Sequence, residues 1–219
     1  NNFNVRLWKT AKGAQMALYP NLNIKDPEWR KLVRKTDFRR ALSLAVNRSD
    51  VNQTIYFGLA IEGNNTVLPE SPLYDPDYTT QWAGYDLKKA NAMLDAMGLS
   101  KRDARGIRLL ANGLPMDLIV ETVGEDMERA DVLQLVAESW LKIGIKLHTR
   151  ILQREIFRNR VFAGSTVMSV WSGIENGLPN PDTPPHERSG TAVGRFRWLA
   201  RASTCCRRHW WTGGYSRTI

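Results

Sequence analysis

Apolar residues in the first part of the chain recur at helical spacing. Between residues 38 and 46 they fall at i, i+3, i+4, i+7 and i+8, which places them on one face of a helix (Phe38, Ala41, Leu42, Ala45 and Val46). Asp26-Pro27 predicts the start of a shorter helix before it, because proline and an acidic residue are favoured in a first helical turn. Ser49 is a suitable N-cap for a third helix, and Gly58 is a suitable end for it.

The segments around these helices follow other patterns. Residues 3–8 and 14–19 predict two strands from their alternating or apolar runs. From residue 60 to residue 83 the periodicity is lost, and prolines and asparagines mark turns. Apolar side chains are nevertheless frequent there, so we expect an ordered loop that packs on the domain. Asp86 then predicts the N-cap of a helix that ends before Gly98.

The second half of the chain alternates strand and helix patterns. The predicted strands are 116–122, 145–151 and 167–171, and the predicted helices run through 133–141 and 154–162. In the middle strand every second residue points to a buried face (Ile145, Leu147, Thr149 and Ile151). Strands joined by crossover helices run parallel. The sequence therefore predicts an α/β fold whose mixed or mainly parallel sheet is flanked by helices.

Composition places the chain among ordinary globular proteins. Of its 219 residues, 42% are hydrophobic and 24% are charged, close to the average for such domains. No apolar run reaches the roughly 18–20 residues that a transmembrane helix needs. The first residues lack the charged-then-apolar pattern of a signal peptide, so we expect any export signal to lie outside this chain. The two cysteines, Cys205 and Cys206, are neighbours and do not have the spacing of a zinc site.

Most of the net charge of +9 lies at one end of the chain. After Glu187 there are no acidic residues and seven arginines (Arg188, Arg195, Arg197, Arg201, Arg207, Arg208 and Arg217). Subtracting these seven charges leaves +2 for residues 1–187, which removes most of the argument for a basic binding face on the body, and we expect the body not to bind nucleic acid. We therefore predict two parts, a folded body over 1–187 and a basic tail over 188–219 that is disordered or translated out of frame.

The best candidate site follows the last predicted strand. In parallel α/β sheets ligands bind beyond the carboxyl ends of the strands, which here are the segments after residues 121 and 171. The second segment offers an aromatic ring, a hydroxyl, a carboxylate, an amide and a glycine (Trp171, Ser172, Gly173, Glu175 and Asn176). Such a set suits a cationic or hydrogen-bonding ligand. The alternative is a polar surface turn whose tryptophan packs on the core.

Motifs of enzymes are missing from the sequence. The nucleophile elbow G-x-S-x-G, the zinc motif H-E-x-x-H, the P-loop and the dinucleotide motif G-x-G-x-x-G are all absent. His148 falls on the exposed face of an alternating strand, and His186 lies in a proline-rich stretch without a catalytic partner nearby. We therefore expect no catalytic residues, no metal site and no cofactor, and predict a binding protein.

Several motifs occur in an order typical of one family. Residues 35–48 (KTDFRRALSLAVNR) are similar to D-x-R-x-R-x-A-L-x-x-A-I-D-R, and residues 85–98 are similar to Y-D-P-x-K-A followed by L-L-x-x-A-G. Residues 133–147 are similar to L-Q-x-x-L-x-x-x-G-I-x-V, and the Trp171 segment follows. Residues 1–187 thus resemble the family 5 extracellular solute-binding proteins, the oligopeptide and dipeptide receptors of ABC importers.

The resemblance implies a periplasmic or extracellular receptor of two lobes, monomeric when intact. The lobes would close over a small solute, a peptide for most relatives, and dock on the ABC permease in the membrane. This chain resembles the second lobe only, so we expect it to bind weakly alone. In peptide-binding relatives an aspartate three residues after the tryptophan binds the peptide amino group; here that position is Ile174, and Glu175 is the nearest acid. Arg39 and Asn47-Arg48 match family positions that we interpret as structural.

Two other functions stay open at this stage. A cationic nucleic-acid-binding protein would use the arginine-rich tail 188–219. A cytoplasmic regulator could use the same fold to sense a solute. The identity of the solute also stays open, because the family's relatives take peptides, sugars, opines, nickel or haem.

Overall fold

The computed structural model describes residues 12–72, 74–124 and 127–173. Its strands are β1 (Ala17–Pro20), β2 (Asp117–Val123), β3 (Lys146–Leu152) and β4 (Met168–Trp171). Its helices are α1 (Pro27–Val33), α2 (Thr36–Leu44), α3 (Arg48–Ile55), α4 (Asp77–Thr80), α5 (Leu87–Ala96), α6 (Met127–Leu141) and α7 (Arg154–Phe162). The predicted strand 3–8, the tail 188–219, Glu175 and Asn176 lie outside the described residues.

The four described strands form one mixed sheet in the order β1-β4-β2-β3. β2 runs parallel to both β3 and β4, with Val120 opposite Met168. β1 is antiparallel to β4, with Ala17 opposite Trp171. This architecture confirms the predicted α/β fold with a mixed, mainly parallel sheet and flanking helices.

The main core lies between one face of the sheet and the helices α2, α5 and α6. It includes Phe38, Ala41, Leu118, Val120 and Trp140, all at most 1% exposed. A smaller cluster of Val123, Phe157 and Val161 lies between the other face and α7. The helical spacing of apolar residues in α2 predicted its buried side correctly.

The start of α3 differs from the prediction. Its N-cap is Asn47, whose side chain accepts a hydrogen bond from the backbone nitrogen of Asp50, and Ser49 lies inside the first turn. Asparagine is as good an N-cap as serine, so propensity alone does not choose between the two positions. The cap predicted at Asp86 is confirmed, because its carboxylate accepts from the backbone nitrogen of Lys89.

The predicted buried face of β3 is only half buried. Ile145 and Leu147 belong to the main core, whereas Ile151 is 57% exposed. β3 lies at an edge of the described sheet, where fewer elements cover a strand. The alternation therefore predicted the buried residues correctly in the first half of the strand, but it wrongly predicted that Ile151 in the second half is buried.

The described residues of the segment 60–83 (60–72 and 74–83) form an ordered loop that contains the short helix α4, as the apolar content of the segment predicted. The side chain of Asn64 is buried and donates to the carbonyl oxygens of Tyr78 and Gln81, at 3.1 and 2.7 Å. These bonds close the loop on itself. Within the described ranges, every helix is too short or too polar to cross a membrane.

Candidate ligand-binding site

The carboxyl ends of β2 and β4 meet at one edge of the sheet, because the two strands are parallel and adjacent. Arg129 lies in the first turn of α6, which follows β2, and its guanidinium carbon is 5.6 Å from the centre of the Trp171 ring at the end of β4. The two segments predicted to flank a ligand therefore emerge on the same side. We refer to this part of the molecule as the carboxyl edge.

Trp171 is partly buried at the carboxyl edge. Its ring stacks on that of Phe157 from α7, with centroids 5.9 Å apart and planes inclined by 10°. It thereby joins the small core under α7. Packing on the core, one of the two interpretations of the sequence, is thus present, and the intermediate exposure of Trp171 leaves part of it accessible.

The backbone after Trp171 is held tightly by neighbouring segments. The hydroxyl of Tyr19 donates to the carbonyl oxygen of Ser172 at 2.8 Å, and the backbone nitrogen of Gly173 donates to the carbonyl oxygen of Ala14 at 2.8 Å. A Cβ atom on Gly173 would lie 2.3 Å from the nitrogen of Ala14 and 2.6 Å from the side-chain oxygen of Asn65. Glycine is therefore the residue that this close approach allows.

A buried carboxylate lies beneath the carboxyl edge, on the face covered by α7. Glu121 is 1% exposed and accepts hydrogen bonds from Arg160 at 2.6 to 3.1 Å and from Arg150 at 3.1 Å. Thr166 donates to the same carboxylate at 3.3 Å. The hydrogen bond to Glu121 raises the pKa of Arg160, so this guanidinium stays charged. Charged groups on three elements thus tie α7 and β3 to β2.

A cavity of about 550 Å³ opens on the opposite, main-core face of the sheet. It is bounded by residues 13–20, by α2, α3 and α6, and by the loop 60–69. Trp171, Ser172 and Gly173 do not line it, but Tyr19, Ala14 and Asn65, which contact Ser172 and Gly173, do. The sequence analysis missed this cavity, because its walls come from segments far apart in the chain.

Arg48 attaches the loop over the cavity to the helices. Its guanidinium donates to the carbonyl oxygens of Gly63 (3.2 Å), Ala83 (2.8 Å) and Ser43 (3.0 Å), and to the side chains of Ser43 and Asn64. Burial lowers the pKa of Arg48 to about 10, and the nearby charge of Glu62 opposes this shift. Arg39 likewise donates to the carbonyl oxygens of Val33 and Arg34. Both arginines make the structural contacts that the sequence analysis expected.

Metal-ligating side chains do not gather in the described ranges: no group of three or more histidines, cysteines, aspartates or glutamates could hold an ion there. His148 lies on the exposed face of β3, as predicted, with its Nε2 atom 3.4 Å from a carboxylate oxygen of Asp117. Of the predicted site residues, Trp171, Ser172 and Gly173 lie together at the carboxyl edge. Glu175 and Asn176 fall outside the described residues.

Comparison with curated proteins identifies two relatives named as peptide-binding proteins. The dipeptide-binding protein of Escherichia coli (strain K12) is 25% identical over 187 residues, which are 82% of this chain and 32% of that protein. The oligopeptide-binding protein AppA of Bacillus subtilis (strain 168) is 30% identical over 129 residues, which are 58% of this chain and 23% of that protein. The chain thus spans about a third or less of the length of these relatives.

Comparison with solved structures likewise identifies a protein named as peptide-binding. The fold superimposes on an oligopeptide-binding protein, OppA, with a TM-score of 0.74 and 28% identity, over 96% of this chain and 34% of that one. The sequence also matches the family described as bacterial extracellular solute-binding proteins, family 5 (middle part), over residues 2–193. These are binding proteins, which confirms the expectation that the chain is not an enzyme. Because the match covers most of its length, the chain belongs to the bacterial extracellular solute-binding proteins of family 5.

Proposed function

We propose that this chain is the second lobe of a receptor that binds a small solute, a peptide, outside the cytoplasm and delivers it to an ABC permease. Family membership supports the solute-binding role. The printed names of the dipeptide-binding and oligopeptide-binding relatives support a peptide as the solute.

The observation that carries the proposal is the convergence of two chain segments at the carboxyl edge. Arg129 after β2 and Trp171 at the end of β4 meet there, with 5.6 Å between the guanidinium carbon and the ring centre. Ligands of open α/β sheets bind at such an edge. The accessible part of Trp171 would offer apolar contact, and Glu175, four residues later in the sequence, would supply a carboxylate for an ammonium or amide group of the solute.

Hydrogen bonds and ring stacking hold the carboxyl edge in place, which supports its role as a binding surface. Ser172 and Gly173 are held by Tyr19 and Ala14 through bonds of 2.8 Å each. From the other face, the ring of Phe157 supports Trp171. A solute would therefore meet a preformed surface, which lowers the entropy cost of binding.

In the complete receptor the solute would contact both lobes at once. A ligand that binds the closed form better than the open form shifts the population toward closure, and the permease would recognise that form. A single lobe supplies only part of these contacts. We therefore expect weak or undetectable binding of di- to pentapeptides by this chain alone, and micromolar or tighter binding measured by calorimetry would contradict that expectation.

A chimera tests the proposal directly. Residues 2–193 would replace the matching stretch of the E. coli dipeptide-binding protein, which supplies the rest of a receptor. Calorimetric titration with dipeptides and tripeptides should give an affinity at least tenfold higher for the folded chimera than for this chain alone. Equal affinities, or a well-folded chimera that binds no peptide, would overturn the proposal.

A further inference from the structure

The floor of the cavity is apolar and belongs to the main core. Leu42, Val132, Val136, Trp140 and Met168 contribute to its lining, and each is at most 6% exposed. The polar atom of Trp140 is already used, because its ring nitrogen donates to the carbonyl oxygen of Leu42 at 3.1 Å. A group that reaches this floor would therefore meet hydrocarbon and aromatic surface.

Four polar side chains of the lining are engaged with the protein itself, whereas the hydroxyl of Thr79 and the ring nitrogen of Trp82 are buried without a hydrogen-bond partner among the described residues. Arg48 and Asn64 direct their hydrogen bonds to backbone carbonyl oxygens of the loop and helices around them. Asn52 donates to the carbonyl oxygen of Ala60 and accepts from its backbone nitrogen, at 2.9 and 3.0 Å. Ser43 donates to the carbonyl oxygen of Trp82 at 2.8 Å. A charged ligand would have to compete with these bonds, whereas an apolar one would leave them intact.

The cavity is preformed and large enough for a ligand. Its volume of about 550 Å³ lies within the roughly 300–1,000 Å³ usual for small-molecule sites. The loop 60–69 above it is fixed by Arg48 on one side and by the buried side chain of Asn64 on the other. The space therefore does not depend on a mobile cover.

We propose that this cavity is a second binding site of the lobe, which accepts a compact, uncharged, apolar group such as a branched aliphatic or aromatic side chain. Its role in solute recognition rests on the proposed function, but its affinity for apolar groups does not. Tyr19 and Asn65 line the cavity and also contact the Ser172–Gly173 segment. A solute with a polar end at the carboxyl edge could therefore place a bulky apolar end here, and the site would select against solutes without one.

The test uses the 219-residue chain without a second lobe, because the described residues that line the cavity all belong to this chain. Amide chemical shifts would be followed by NMR during titration with toluene, N-acetyl-leucine amide and N-acetyl-glycine amide. We expect saturable shifts at residues that line the cavity with toluene and with the leucine derivative, and none with the glycine derivative. Toluene binding without leucine binding would assign the site to a free apolar molecule rather than to a side chain of the solute.

Cavity-filling variants give the control. Val51, on α3, lines the cavity and is half-buried, and Met93, on α5, is also half-buried but does not line it. V51F should weaken toluene binding at least tenfold, and M93F should leave it unchanged. Should V51F fail to fold, V46F fills the same cavity from the segment that joins α2 to α3. Absence of saturable binding, or binding that a folded filling variant does not weaken, would overturn the proposal.

The two proposals fail separately. If toluene binds in the cavity but the chimera binds no peptide, the apolar site stands and the receptor role falls. If the chimera binds peptides while the cavity takes neither toluene nor the leucine derivative, the receptor role stands and the second site falls.

Discussion

The hydroxyl group of Tyr19 donates a 2.8 Å hydrogen bond to the carbonyl oxygen of Ser172, and so joins β1 to the segment that leaves β4. Asn65, from the loop over the cavity, donates to the same hydroxyl at 3.3 Å. One side chain thus connects the cavity with the carboxyl edge. A shift of Asn65 or of Ser172 would therefore disturb the hydrogen bond that Tyr19 makes with the other residue.

Replacing Tyr19 by phenylalanine tests this connection. Tyr19→Phe should lower the free energy of unfolding by about 1 kcal/mol, the usual loss for a partly buried hydrogen bond. It should also speed hydrogen exchange at the amide of Gly173, which bonds to Ala14 beside it. Tyr85→Phe is the control, because Tyr85 is 40% exposed and should change neither quantity. Unchanged exchange at Gly173 in Y19F would show that the contact does not hold the segment.

Gly173 is required by its surroundings rather than by its backbone conformation. Gly173→Ala would bring a Cβ atom within 2.3 Å of a backbone nitrogen, so the chain must shift. We expect a loss of about 1–3 kcal/mol in unfolding free energy, measured by urea denaturation. Gly84→Ala is a matched control, because nothing lies within 4 Å of the added atom. A G173A variant as stable as G84A would contradict the close approach.

Lysine should replace Arg48 only at a cost in stability. A lysine keeps the charge but cannot reach the three carbonyl oxygens and two side chains that the guanidinium contacts together. Arg48→Lys should therefore cost about 1–3 kcal/mol of stability in urea denaturation. Arg105→Lys, at a side chain that is 56% exposed, should cost less than about 0.5 kcal/mol. Equal effects of the two substitutions would argue against the anchoring role.

Glu121 should stabilise the face of the sheet under α7. Glu121→Gln removes the negative charge between Arg150 and Arg160, whose side chains are 44% and 34% exposed. Because solvent screens the partly exposed arginines, the free energy of unfolding should fall by about 1–3 kcal/mol, less than for a fully buried ion pair. Thermal unfolding measures this change. Glu138→Gln, on the exposed face of α6, is the control and should be neutral. A neutral E121Q would show that the ion pairs add no stability.

The sequence predicted most of the fold because local patterns determined its elements. The apolar positions of α2 and the alternation of strands with helices after residue 116 are each contained within one segment. The parallel arrangement of β2 and β4 then followed from their connection through helices, which placed Thr122 and Trp171 at one edge.

The features that the sequence did not reveal depend on several segments at once. The cavity is walled by β1, three helices and a loop, and no periodicity marks a space between elements. Glu121 occurs in an apolar strand, and its partners Arg150 and Arg160 come from β3 and α7. The choice of Asn47 over Ser49 as the cap of α3 depended on where the preceding helix ends, which propensity does not specify.

The central claim is that solute binds at the carboxyl edge of this lobe, and one comparison of affinities tests it most directly. In the peptide-binding chimera, Trp171→Ala should weaken peptide binding at least tenfold, or about 1.4 kcal/mol. Leu114→Ala, at a 60% exposed residue in the turn before β2 and so at the opposite edge of the sheet, should leave the affinity unchanged. If a folded W171A chimera binds peptide as tightly as the L114A chimera, the claim is contradicted.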